Sequence, residues 1–228
     1  MEWGLGCCCG CPVCISTVGF WGAYHQSQWK SGTDFPATWT KLTARDSTNL
    51  TNCNVLVIGQ SNFGNTVCPT TSGDCAAVAS WITGGGVLFV LHEYWGPPAI
   101  WGDSASITLN SSLSLIGTQV RAGLTSGPTS TGAHTVTATN SHPLFCDVDK
   151  LSIAGPGYIS SVSTSEPPLE TLFSYSGAAI ITIESFGSGF VVYCSDASMV
   201  NAFTAAQNVT SGNKINQFLH NLGCIATN

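Results

Sequence analysis

His92-Glu93 and Ser195-Asp196 are the residues in this chain whose types suit acid–base chemistry or a divalent metal. Each pair directly follows an apolar run, Val87–Leu91 and Phe190–Cys194, of the kind that forms a buried strand. An imidazole beside carboxylates can move a proton near neutral pH or ligate a cation through nitrogen and oxygen. His92, Glu93 and Asp196 are therefore the candidate catalytic or metal-binding set. The competing reading is structural, because polar residues at strand ends also cap helices and bond to loops. His142, before Pro143, reads as a turn residue, and His220 as a solvated residue on the polar side of a helix.

Thiols are the other reactive groups. Cys7-Cys8-Cys9-Gly10-Cys11-Pro12-Val13-Cys14 holds two overlapping C-x-x-C spacings, Cys8 to Cys11 and Cys11 to Cys14. Such a turn can place thiolates on one tetrahedral zinc, so Cys8, Cys11 and Cys14 are candidate ligands and zinc the one candidate cofactor. No second knuckle follows, so further ligands would come from Cys53, His25 or another subunit. An iron–sulfur cluster would need a fourth cysteine in register. The alternative is a set of disulfides within or between chains, formed on exposure to oxidant, or free thiols. Cys68 and Cys75 bracket a loop that a disulfide could close, with two free thiols as the other outcome.

The elements that must position these residues centre on 54–96. Val55–Gly59 reads as a strand covered on both faces. Ala76–Ile82 reads as a helix capped by Asp74 or Ser72 and ended by Gly84-Gly85-Gly86. Val87–Leu91 is the next strand. Strand, helix and strand with short connections form a right-handed βαβ unit in a parallel sheet. Before it, Ile15–Trp21 is a first strand, and Phe35–Leu42 is a short helix with Pro36 in its first turn. After it, Leu109, Leu113 and Ile116 have helical spacing up to Gly117, and Gln119–Arg121 and His134–Thr137 read as strands. Leu151–Val162 reads as irregular with short strands. Ala179–Glu184 and Phe190–Cys194 flank Phe186-Gly187-Ser188-Gly189 as a hairpin. Ile215, Phe218, Leu219 and Leu222 mark a closing helix, capped by Ser211 or Asn213 and ended by Gly223. The expected fold is α/β, a mostly parallel central sheet over residues 15–228, preceded by a cysteine-rich arm over 1–14.

Charged residues make up only 8% of the 228 positions, against about 25% in ordinary soluble domains. Only six Lys and Arg and a net charge of −6 exclude an electrostatic nucleic-acid footprint. No apolar run approaches the roughly 18–20 residues that span a bilayer, and the start has no basic region of a secretory signal. A charge-poor, Ser/Thr-rich surface is poorly protected against self-association. Trp3, Trp21, Trp29, Trp95 and Trp101 are expected in loops or arms, where tryptophan suits an interface. Asn49, Asn110 and Asn208 fit the glycosylation sequon, which a chain this rich in Asn, Ser and Thr also produces by accident.

The order Asn54–Gly59, helix, Gly84–Leu91, Ser141-His142-Pro143-Leu144, then the hairpin Ile183–Asp196 and the helix 213–222, resembles the class I glutamine amidotransferase-like superfamily. It is most similar to its ThuA-like and noncatalytic branches, and the resemblance implies a flavodoxin-like fold. Active members carry a cysteine on a glycine-flanked elbow; here Leu91 takes that place, with Phe89 and Glu93 where glycines belong. The His-x-Glu pair of a late strand is replaced by Cys194-Ser195-Asp196-Ala197. The resemblance thus implies no glutaminase chemistry and no catalytic residues. The cysteine cluster itself resembles the Cys/Gly-rich starts of predicted phage and planctomycete surface proteins. The expected function is a non-catalytic structural or assembly subunit, a phage virion component or surface-filament protein. Its partners would be copies of itself or other structural proteins, and its location a virion or extracellular assembly. The alternative is a ThuA-like hydrolase or carbohydrate-binding protein, working in the cytoplasm through His92, Glu93 and Asp196.

Overall fold

The computed structural model describes residues 16–21, 39–44, 47–60, 66–92, 102–126, 131–134, 142–149, 151–154, 157–161, 169–197 and 215–226. The cysteine cluster 7–14, His25, Glu93, Trp3, Trp29, Trp95, Trp101 and Asn208 lie outside these residues, as do the helix-cap candidates Ser211 and Asn213.

Alternation along the central strands builds the core. In β3 (Val55–Gln60), Val55 and Val57 face one side while Leu56 and Ile58 face the other, and all four are fully buried. β5 (Val87–Leu91) divides likewise, with Phe89 on the first side and Leu88 and Val90 on the second. Both strands need cover on two faces, and two sets of helices supply it. On the second side lie α1 (Ser72–Thr83) and α2 (Gly102–Ile116), through Cys75, Val78, Ile82, Leu109, Leu113 and Ile116. On the first side lie α3 (Ile215–Ile225), through Phe218, Leu219 and Leu222, and the 3₁₀ turn Pro143–Phe145. Phe218 packs edge-on against Phe145, with ring centroids 5.7 Å apart.

β1 (Ser16–Trp21) and β2 (Trp39–Ala44) extend the sheet on one side. β10 (Glu170–Tyr175), β11 (Ala178–Phe186) and β12 (Gly189–Cys194) extend it on the other. The order is β10-β11-β12-β5-β3-β1-β2, with the short β4 (Thr66–Val67) pairing antiparallel on β3. The run from β2 to β12 is parallel, and β11 and β10 are antiparallel. Two small antiparallel pairs stand apart: β6 (Val120–Ser126) with β9 (Gly157–Ser161), and β7 (Thr131–His134) with β8 (Leu151–Ala154). Among the described residues no helix is long and apolar enough to cross a membrane.

The βαβ unit, the hairpin and the closing helix stand as expected. Several local readings change. The segment read as a helix over Phe35–Leu42 is a strand from Trp39, because it pairs along its whole length with β1, from Ser16↔Trp39 to Trp21↔Ala44; residues 35–38 lie outside the described set. The cap of α1 is Thr71, whose Oγ1 accepts from Asp74 N at 3.1 Å, rather than Asp74 or Ser72. The glycine with a positive φ after α1 is Gly85, at +113°, while Gly84 sits at −80°. α3 runs two residues past Gly223, which is buried and whose carbonyl accepts from Ser16 Oγ at 2.9 Å. Trp21 ends β1 and is 8% exposed, so it belongs to the core and not to a loop. β10 was not expected at all; it joins β11 through Ser176-Gly177, both at positive φ, as a tight hairpin turn requires.

Candidate functional site

The carboxyl ends of β5 and β12 meet side by side. Their parallel pairing ends at Cys194↔Leu91; His92 N donates to the Cys194 carbonyl at 2.9 Å, and Ala197 N to the His92 carbonyl at 2.8 Å. Two interlocked backbone bonds thus hold His92 beside Ser195-Asp196, at the carboxyl end of the parallel strands, the end of an open α/β sheet on which ligands bind.

Strand alternation decides which side chains share a face. Tyr193 packs on the α1/α2 side with Val90, so Ser195 and His92, two residues further along each strand, project the same way. Thr182 is the cross-strand partner of Tyr193. His92 is fully buried. Its Nε2 lies 3.0 Å from Ser106 Oγ on α2, and its ring stands 6.1 Å from that of Tyr193. His92 Nδ1, Tyr193 Oη, Ser195 Oγ and Thr182 Oγ1 are all buried without a hydrogen-bond partner. Unmet polar atoms at such density are uncommon in a folded interior, where each costs about 1–3 kcal/mol. Desolvation pushes the His92 imidazole down to about 3, and the Tyr193 phenol well above its ordinary value, with Cys194 adding to the latter. The cluster is therefore a set of neutral donors and acceptors. It suits hydrogen bonding to an uncharged polar group better than proton transfer at pH 7.

Of the candidate set, His92 and Asp196 are brought to the same rim and both are fully buried; Glu93 lies outside the described residues. Among the described residues no group of three His, Cys, Asp or Glu is placed to hold a metal. Leu91, which the resemblance aligns with the family's nucleophile, is 1% exposed. Cys194 is next to it, but packs on the α3 face and donates its thiol to the Asp196 carbonyl at 3.3 Å, away from the imidazole. Other thiols here are held in their protonated form. Burial pushes Cys53 up to about 11 and also raises Cys68 and Cys75. Cys68 and Cys75 are both free, so the loop-closing disulfide is not formed. Ser112 Oγ lies 3.0 Å from Cys68, and the Pro69 carbonyl takes the Cys75 thiol at 3.5 Å.

His142 is the turn residue expected of it, its Nδ1 accepting from Leu144 N at 3.2 Å. His220 is half-buried, not solvated, with Nε2 3.6 Å from Cys224 Sγ. Asn110 uses its whole amide as a clamp, Nδ2 donating to the Ala122 carbonyl at 2.9 Å and Oδ1 accepting from Ala122 N at 2.7 Å.

Ser106, Tyr193 and Thr182 were not singled out from the sequence. Ser106 did leave a signal: it sits three and seven residues before Leu109 and Leu113, on the apolar stripe of α2. A hydroxyl on that stripe needs a buried partner.

No family model matches this sequence, and no curated protein does. Solved structures match its fold. A cytoplasmic protein of Salmonella typhimurium LT2, STM1381, superposes with a TM-score of 0.56 at 12% identity, over 82% of this chain and 80% of that one. The mmIFT52 N-terminal domain gives 0.56 at 11% identity, over 93% and 97%. Salmonella typhimurium STM3548 gives 0.51 at 11%, over 82% and 79%. The fold is that of the class I glutamine amidotransferase-like proteins, flavodoxin-like in topology, with a mostly parallel sheet and a C-terminal antiparallel hairpin.

Proposed function

We propose that this chain is a non-catalytic structural or assembly subunit built on the amidotransferase-like scaffold. The observation that carries the reading is the sealed rim: Leu91 replaces the nucleophile, and the neighbouring His92 is fully buried against Ser106. The surface supports the same reading. On α2, Ile107 and Leu115 are 54% and 51% exposed, with Thr108, Ser111 and Ser114 exposed among them. This helix carries a single charged residue, Asp103. Two copies can therefore approach through this face without like-charge repulsion, so a second copy of the chain is the partner we assign to it. A virion or an extracellular filament is the setting in which such a surface stays covered. Light scattering on the purified chain is expected to give a dimer or larger species, and the Ile107→Asp/Leu115→Asp variant a monomer. A wild-type protein that stays monomeric at high concentration would remove the support for assembly.

A second reading, a ThuA-like hydrolase or carbohydrate-binding protein, is favoured by the unmet hydroxyl and imidazole atoms around His92 and Tyr193. Neutral sugars offer the matching donors and acceptors. Calorimetric titration with neutral mono- and disaccharides then gives binding that Tyr193→Phe weakens several-fold. No heat up to about 10 mM sugar, a limit set by millimolar affinities, rejects it.

A further inference from the structure

Cys68 directly follows β4 and Cys75 sits in the first turn of α1, and both thiols are buried and free. They are ordered onto one acceptor. Ser112 Oγ, on α2, lies 2.6 Å from the Pro69 carbonyl, so its single proton goes there. The Cys68 thiol, 3.0 Å from Ser112 Oγ, is then the donor of that pair. The same Pro69 carbonyl accepts the Cys75 thiol at 3.5 Å. Both thiol protons therefore converge on one backbone oxygen, one directly and one through Ser112. A negative charge on Cys68 also raises Cys75, as neighbouring sulfurs do. Cys53 and Cys194 donate to separate carbonyls, those of Leu50 and Asp196. Between the pair, Thr70, Thr71, Ser72 and Gly73 are exposed, so this stretch can adjust without disturbing the core.

We propose that Cys68 and Cys75 form a reversible redox pair, a dithiol in the state described and a disulfide closing residues 69–74 in oxidising surroundings. The two thiols give up two protons and two electrons as the S–S bond forms. A small disulfide oxidant such as glutathione disulfide takes them and leaves as two thiols. Cys68, 7% exposed, makes the mixed disulfide, and Cys75, fully buried, resolves it. The bond leaves no buried donor unmet, because both thiol protons depart and Ser112 keeps the Pro69 carbonyl. Burial raises both thiols, so little thiolate is present at pH 7 and the exchange quickens as the pH rises. Once formed, the bond ties the end of β4 to the start of α1. This inference stands whether or not the chain assembles.

The test is peptide mapping of the wild-type chain equilibrated with glutathione disulfide at pH 8, quenched in acid and alkylated in denaturant. A protease that cuts before aspartate cleaves at Asp46, Asp74 and Asp103, between the two cysteines. The bond therefore links fragment 46–73 to fragment 74–102, and dithiothreitol separates them. Cys53 shares the first fragment, so Cys53→Ser should retain the link and Cys68→Ser should abolish it. Cys68→Ser/Cys75→Ser keeps a hydroxyl donor at each position. Its rise in melting temperature on oxidation should be about 5–10 °C smaller than that of the wild type, the share of a disulfide closing so short a loop. Oxidised wild type in which Cys68 and Cys75 are both alkylated overturns the proposal. So does glutathione left on Cys68 without the link, or linkage of either residue to a different cysteine.

Discussion

Urea midpoints for this protein are expected to fall steeply as the pH drops from 7 to 5, well before ordinary carboxylates titrate. The cause is His92. Burial holds its folded-state value at about 3, against about 6.5 in an unfolded chain. The unfolded state therefore takes up a proton that the folded state refuses. Stability is fully present above pH 6.5 and is lost as the pH falls, by about 1.4 kcal/mol per pH unit, until the folded imidazole titrates near 3. That is about 2 kcal/mol by pH 5 and about 5 kcal/mol in full, a large share of a typical folding free energy of about 5–15 kcal/mol. His142, pushed down to about 4 by burial, acts in the same direction. Glu184 opposes them. Burial raises its carboxyl despite backbone donors from Gln119 and Val120 and the nearby Arg121, so its contribution grows as the pH falls. Chemical denaturation across pH 7 to 5 measures the sum, and His92→Gln should reduce the proton uptake on unfolding by one. A midpoint that does not change over that range, or an imidazole proton shift that titrates near pH 6.5 in the folded protein, would show that His92 is not sealed.

Gly59→Ala is expected to cost about 2–6 kcal/mol, from two sources that add. Gly59 has φ +121°, where an L side chain is strained by about 1–3 kcal/mol. A Cβ there would also collide with the backbone carbonyl of Leu91, its partner across the β3–β5 pairing, and overpacking costs about 1–3 kcal/mol more. The strands must then separate at the end that carries His92. Gly85→Ala is the control: its φ is +113°, but a Cβ there meets nothing within 4 Å, so only the strain remains. Equilibrium unfolding of both variants checks this. Equal losses at the two positions would mean that the close approach of β3 to β5 is not maintained in solution.

Much of this was legible because it rests on local pattern. Val55–Gly59 and Val87–Leu91 are β-branched or apolar at every position but one, and only a strand covered on both faces uses such a run. The expectation that the family's nucleophile is replaced needed only the residues around Leu91. The site was half legible. His92 and Asp196 could be assigned to one rim from strand order, but that both are buried, His92 against Ser106 on α2, is decided by the packing around them. Ser106 and Tyr193 had no motif to announce them.

By itself the sequence determined the alternating faces, the βαβ unit and the Gly187 hairpin, all of which follow from periodicity or residue identity over a few positions. Only the tertiary structure decided the rest. Trp39–Ala44 is a strand because β1 supplies its hydrogen bonds, whatever its own helix signals. α3 continues past Gly223 because a buried bond from Ser16, 207 positions earlier, holds that turn in place. His92 is neutral because distant elements remove it from water. In each case the deciding partner is far along the chain, and no local pattern of residues names it.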